Sequence, residues 1–443
     1  MILTNSVVVA VLTVIVLSLA KVNVVIALVS GALVGGIASG MMFGEALEIF
    51  SSGLGGGAKI ALNYAILGAF AAAVAHSGVP IWLSHKLVKF ITKKSSHPYC
   101  QRPFKVAIIF LLVLVAILSK NIIPVHVAFI PILIPPLLGI FSELKMDRRL
   151  LSNAMAFGLI ITYMVIPHGF GSIFLESIFL KNLTENGMNI GLKDILLGMI
   201  FPALGMITGL VTSCFAYRKP RTYNLSKIQT MKVREESCSS KDIIVSGIAI
   251  IGALMAQLCW KSTMASAMFG FFIFAIGGVV GWRDSDNVVA QGFKMMSSIA
   301  FIMIAAAGFS TVLRATGDIQ ELVNWLTSSV GSSKFLAALG MVTVGLLITM
   351  GIGSSFSTVP IIAAIYVPLC STLGFSPLAT ICITTAATVT GDAGSPVSDT
   401  MLAATAGLNA DGQHDHIWDT SIPGFIHFNI PLIIFGILGA MIL

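Results

Sequence analysis

Asp392 and Asp399 are the only charged residues between Phe375 and Ala410, in a stretch dominated by Ala, Thr, Ile, Leu and Gly that is apolar enough to lie in lipid. A carboxylate at membrane depth is costly unless it is paired, hydrated or neutralised, so intramembrane acids mark ion or substrate paths. The chemistry the two acids offer is reversible capture of a proton or a sodium ion. Between them the run Gly391-Asp-Ala-Gly-Ser-Pro-Val-Ser-Asp399 carries two helix-weakening residues, Gly394 and Pro396, so a break in the helix is expected there. Asp392, beside the break, is assigned as the main cation or proton carrier. Asp399 is a second ligand or an acid that caps the following half-helix. A sodium ion would take Asp392 and Ser395, with Gly394 freeing backbone groups beside them.

A second interruption, Gly351-Ile-Gly-Ser-Ser-Phe-Ser-Thr358 ahead of Pro360, offers the hydroxyls of Ser354, Ser355, Ser357 and Thr358 to a cation or a carboxylate. The same residue types also serve as packing residues between membrane helices. In the first half, Lys120 and Asn121 follow an apolar run of about fourteen residues and precede Pro124 and His126, and His168 lies in Pro167-His-Gly-Phe-Gly-Ser172. Intramembrane lysines are functional unless they snorkel. His126 and His168 could shuttle protons or simply be hydrogen-bonded in place. Converging breaks of this kind form sites at the midplane of transporters, where half-helix N-termini attract anions and unwound carbonyls hold cations.

Elements able to carry such a site must span a membrane. The chain has 443 residues, of which 56% are hydrophobic and 10% charged, and a mean hydropathy of +0.96. Soluble domains carry about 25% charged residues, so this is an all-α polytopic membrane protein. Spanning windows lie near residues 2–20, 22–43, 60–77, 104–119, 122–141, 150–167, 194–216, 243–259, 264–282, 294–313, 335–352, 356–374, 378–390 and 422–442, several of them short or broken, which implies about 10 to 13 crossings. The first window lacks a basic leader and is expected to stay as a transmembrane helix.

The net charge of +7 is concentrated in two loops. Residues 86–105 hold six Lys or Arg and no acid, and residues 217–241 hold seven against Glu235 and Glu236. Both are predicted to be cytoplasmic, with the N-terminus outside, and no nucleic-acid partner is implied. The two halves then run in opposite directions: residues 1–217 as the first repeat, 218–241 as a basic linker and 242–443 as the second, inverted repeat. Gly31, Gly53, Phe70 and Gly78 recur 239 residues later as Gly270, Gly292, Phe309 and Gly317. Amphipathic segments at 81–91 and 319–326 read as helices lying along the interface.

Other motifs are weaker. Asp411-Gly-Gln-His-Asp-His416 fits no metal-ligand spacing and reads as a polar cytoplasmic loop. Gly53-Leu-Gly-Gly-Gly-Ala-Lys59 lacks the Gly-Lys-Ser/Thr of a phosphate loop and lies on the predicted exterior side. The six cysteines form no Cys-x-x-Cys pair. No cofactor is implied, and no nucleophile and base lie at a spacing that suggests an enzyme.

The chain resembles the bacterial Na+/H+ antiporter family of the ion transporter superfamily, in particular its branch of amino acid and histidine permease-like members. The resemblance rests on Gly391-Asp-Ala-Gly-Ser-Pro-Val-Ser-Asp-Thr400, on Gly407-Leu-Asn-Ala-Asp-Gly-Gln-His-Asp-His-Ile-Trp-Asp419, and on Ile122-Ile-Pro-Val-His126 running into Ile130-Pro-Ile-Leu-Ile-Pro-Pro136. It implies inverted repeats, broken helices, homodimers in the bacterial inner membrane, and alternating access in which a transport domain moves against a scaffold. The expected activity is secondary transport of an amino acid, such as histidine, driven by Na+ or H+. Na+/H+ antiport is the close rival; an organic-acid exchanger or a channel follows behind.

Overall fold

The computed structural model describes residues 5–20, 22–79, 82, 86, 101–121, 130, 133–229, 239–260, 262–318, 321, 333–396 and 398–443. His126 and almost all of the two amphipathic segments lie outside them. The described chain is helical, without strands: α1 (Ser6–Leu19), α2 (Val24–Ala38), α3 (Phe43–Gly53), α4 (Gly55–His76), α5 (Gln101–Asn121), α6 (Arg148–Val165), α7 (Phe170–Glu185), α8 (Leu192–Gly198), α9 (Ile200–Ala216), α10 (Ser240–Trp260), α11 (Thr263–Ile276), α12 (Ser285–Thr316), α13 (Lys334–Ile352), α14 (Ser355–Thr372), α15 (Pro377–Gly394), α16 (Asp399–Leu408) and α17 (His416–Ile442).

Among the described residues five helices are long and apolar enough to cross a membrane, or up to seven if each of two bent pairs is one span, and four shorter apolar helices join them. Together these come to nine to eleven, against the 10 to 13 crossings expected. One bent pair is α6 with α7, turned by 60° at residues 166–169, and the other is α8 with α9, turned by 42°. Of the window expected at residues 122–141, residues 122–129 and 131–132 lie outside the described residues; the described end holds a short helix, Leu138–Glu143, and Ile134 packs against Gly407 of α16. Helix α5 already begins at Gln101, so the basic loop predicted over 86–105 ends earlier.

Helices α1 to α4 and α10 to α12 form one group. Helix α1 packs on α2 and α10 on α11; crosswise, α2 packs on α12 and α11 on α4, while α4 and α12 run along each other. The repeated residues make this exchange reciprocal. A Cβ on Gly31 would lie 3.3 Å from the Phe309 ring, and one on Gly270 would collide with the Phe70 ring. Both phenylalanines are fully buried. Gly78 and Gly317 close their helices in the left-handed region, at φ 72° and 76°, a conformation that favours glycine.

The second group packs α5 on α6, α13 on α15, and α9 and α15 on α17. Small residues permit close approach, as membrane interfaces require. Gly158 of α6 meets Ala116 of α5, and Gly391 of α15 meets Thr349 of α13. Helix α14 lies inside the bundle with nearly every residue buried, so it is a core element rather than a lipid-facing span.

Candidate functional site

Two breaks in the second half come together. Helix α13 ends at Gly353, in the left-handed region at φ 72°, and α14 restarts after Ser354. Helix α15 ends at Gly394 and α16 restarts at Asp399. The expected breaks are therefore found, and Asp392 and Asp399 do not share one straight helix face. The Ser395 hydroxyl donates to the Met350 carbonyl at 2.9 Å, tying the second break to the end of α13. Gly394 lets α17 approach, since a Cβ there would lie 2.7 Å from the Phe425 Cα.

Asp392 is 1% exposed. Its Oδ2 accepts from the Tyr163 hydroxyl at 2.7 Å and the Ser355 hydroxyl at 3.3 Å, and its Oδ1 accepts from the Ser398 hydroxyl at 2.7 Å. The Tyr163 and Ser355 oxygens are themselves 3.0 Å apart. Each hydroxyl has lone pairs as well as a proton, so the shell around the carboxylate can turn from donating to coordinating. Of the four hydroxyls singled out in the first break, Ser355 reaches Asp392. Ser354 precedes α14, Ser357 is buried, and the Thr358 hydroxyl turns back to the Ser354 and Ser355 carbonyls, both at 3.2 Å.

Lys120 is 1% exposed, so it does not snorkel. Its ammonium lies 3.9 Å from Asp399 Oδ2 and sits over the rings of Phe170 and Phe356, 5.1 and 5.8 Å from their centroids. Aromatic faces attract such a cation. Asp399, 36% exposed at its side chain, accepts from the Thr400 N–H within the first turn of α16, where Ser398 holds the N-cap position, and it faces Lys120. Asn121 accepts from the Gly171 N–H at 3.3 Å and holds the break between α6 and α7. His168 stands exposed in that same break.

Two features of the site carry no charge in the sequence. Tyr163 is one. The other is an aromatic cluster in which the Phe356 ring centroid lies 4.9 Å from Phe174, 5.2 Å from Phe170, 5.3 Å from Tyr163 and 6.3 Å from Tyr64. A tyrosine or phenylalanine in an apolar helix is indistinguishable from ordinary core by pattern alone.

The 411–416 segment is not the open polar loop expected. Asp411 forms a fully buried bidentate pair with Arg148, both bonds 2.6 Å, and Arg148 stacks 4.2 Å from the Tyr223 ring. Burial alone would raise the Asp411 pKa, but the Arg148 hydrogen bonds and charge outweigh it and hold Asp411 below the usual carboxylate range. Arg221 joins Asp419 at 2.7 Å and Asp147 at 3.6 Å, so the start of the basic linker is folded onto the helix ends. Among the described residues no group of three or more His, Cys, Asp or Glu gathers as metal ligands.

Known proteins share this architecture. Residues 154–439 match the Na+/H+ antiporter family, and residues 5–91 match a second Na+-H+ antiporter family description. An uncharacterized membrane protein of Vibrio parahaemolyticus is 51% identical over 441 residues, covering 99% of this chain and 100% of that one. The Bacillus subtilis protein named "Putative amino acid transporter YuiF" is 46% identical over 445 residues, covering 99% of this chain and 100% of its own length. Among solved structures, Neisseria gonorrhoeae MtrF, described with a class of antimetabolite efflux pumps, superposes with a TM-score of 0.57 at 17% identity, over 90% of this chain and 84% of that one, a likeness of fold. The chain is a multi-pass membrane transporter, not an enzyme, and it belongs to the Na+/H+ antiporter family.

Proposed function

We propose that this transporter carries an amino acid across the bacterial inner membrane, coupled to Na+ or H+, with Asp392 as the coupling group. The observation that supports this most is the Asp392 shell: a buried carboxylate at a helix break, held by the hydroxyls of Tyr163, Ser355 and Ser398. A carboxylate held by neutral hydroxyls can take up a proton or a sodium ion without breaking an ion pair, and the hydroxyl oxygens then supply the remaining ligands. The Ser398 hydroxyl donates to Asp392, while that of Ser395 donates to the Met350 carbonyl. Lys120, paired with Asp399 over two aromatic faces, is the group that would exchange its partner for a substrate carboxylate.

The amino acid is supported by the name of the Bacillus subtilis relative, which this chain matches over nearly its whole length. The same reading takes residues 1–217 and 242–443 as the inverted repeats, with the N-terminus outside, the basic loops in the cytoplasm and the functional unit a homodimer. Na+/H+ antiport is the second reading, favoured by the family description and by a site whose acid needs no solute to exchange ions.

The experiment is uptake of labelled histidine and a panel of amino acids into proteoliposomes, with and without imposed Na+ and pH gradients, comparing wild type with Asp392→Asn. Gradient-driven accumulation that the variant lacks supports the carrier. If no amino acid accumulates while Na+ collapses a pH gradient, antiport replaces it.

A further inference from the structure

A cavity of about 260 Å³ lies apart from Asp392, where α3 and α4 meet α7, α12 and α14. Its wall includes Gly53, Gly56 and Gly57 of the glycine run, on the side predicted to be exterior. Three charged side chains line it. Glu185 lies 3.8 Å from the Lys181 ammonium and 4.0 Å from the Arg314 guanidinium, and Lys181 also donates to the Gly56 carbonyl at 3.1 Å. Ser310, 4% exposed, lines the same cavity with its buried hydroxyl oxygen free of any hydrogen-bond partner among the described residues.

The cavity shares helices α7 and α14 with the central site. Pro360, on its wall, is five residues beyond Ser355 along α14, a rise of about 7.5 Å. Ile178 is one turn beyond Phe174 along α7. Phe356 on α14 and Phe174 on α7 each precede a cavity-lining residue by four positions, and their ring centroids are 4.9 Å apart.

We infer that this cavity is an entry site for a zwitterionic amino acid, whose carboxylate pairs with Arg314 and Lys181 and whose ammonium pairs with Glu185. The charge pattern decides the class. A simple cation meets two like charges, and a simple anion must displace Glu185 or lie against it. A zwitterion completes all three, because it brings a carboxylate to the guanidinium fork and an ammonium to the acid. This inference rests on the amino acid carrier proposed above, and it adds the residues that first recognise the solute.

The test is equilibrium binding of labelled histidine to the purified full-length protein, with histamine and imidazolepropionate as competitors lacking one charge each. Wild type is expected to bind histidine, with each competitor at least tenfold weaker. Arg314→Gln and Glu185→Gln should each weaken histidine binding at least tenfold while remaining monodisperse, Arg314→Lys should recover part of the loss, and Glu185→Gln should narrow the advantage over imidazolepropionate. If no amino acid of a wider panel binds, or if all the cavity variants bind as wild type, the entry site is wrong. Binding without gradient-driven uptake would instead overturn the carrier and leave the entry site standing.

Discussion

Tyr163 on α6 donates its hydroxyl proton to Asp392 on α15 at 2.7 Å, so a side chain from the first half of the chain holds the acid of the second. Tyr163→Phe removes that donor and keeps the ring against Phe174 and Phe356. A hydrogen bond to a charged group contributes about 1.5–3 kcal/mol, so the apparent affinity for the coupling ion should change about tenfold or more. The Na+ and pH dependence of transport by the variant measures this. Unaltered ion dependence would remove Tyr163 from the site.

Lys120 and Asp399 should behave as a coupled pair. Asp399 is partly exposed and the separation is 3.9 Å, so the interaction is weaker than a buried contact pair. A double-mutant cycle with Lys120→Met and Asp399→Asn is expected to give a coupling of about 1 kcal/mol in thermal unfolding. Additive losses would mean that the two charges act independently.

Gly391→Ala tests the seam between α13 and α15. Its new methyl would collide with Thr349, one residue away from Asp392. Overpacking of this kind costs about 1–3 kcal/mol, and here it also displaces the acid. Both a lowered unfolding temperature and lost coupling are expected; full activity would show that the seam opens without effect on the site.

The cluster at the helix ends predicts a pH dependence. His414 is buried with Nε2 on the Thr420 hydroxyl and Nδ1 without a partner among the described residues, and burial pushes its pKa down from 6.5 to about 4. The neutral ring is the folded form. Its contribution is complete above pH 6.5 and is lost as the pH falls from 6.5 toward 4, to a total of about 3 kcal/mol. His414→Gln should flatten stability across that window when unfolding is followed against pH. An equally steep slope would assign the acid sensitivity elsewhere.

The buried Arg148–Asp411 pair gives the largest expected loss. Asp411→Asn leaves a buried guanidinium without its countercharge, which costs about 3–5 kcal/mol. Poor expression with retained binding in the rescued Arg148→Met, Asp411→Leu double variant would fit a structural pair. A wild-type unfolding temperature for the single variant would contradict it.

What the sequence made legible followed charge and backbone chemistry. Asp392 and Lys120 stood out because a charge in an apolar run has few bland explanations, and both breaks were marked by glycine and proline. Ser398 could not be chosen over Ser395 by counting, because which serine faces an acid across a break depends on how the backbone turns there. Tyr163 had no signature, since its hydroxyl matters only through a partner 229 residues away. Arg148 carries no mark in the sequence, and Asp411 reads as part of a polar loop; their burial arises from the meeting of distant helix ends.

The interlocked phenylalanines set a timetable for synthesis. Phe70 has no seat until Gly270 has been made, roughly 200 residues later, and Phe309 reaches Gly31, already flanked by Val14 and Ala10 of α1, later still. At about 5–20 residues per second that interval is roughly ten to forty seconds. During it the newborn first half holds the Phe70 ring without its seat, which is when a chaperone or an errant helix of another protein would most readily intervene.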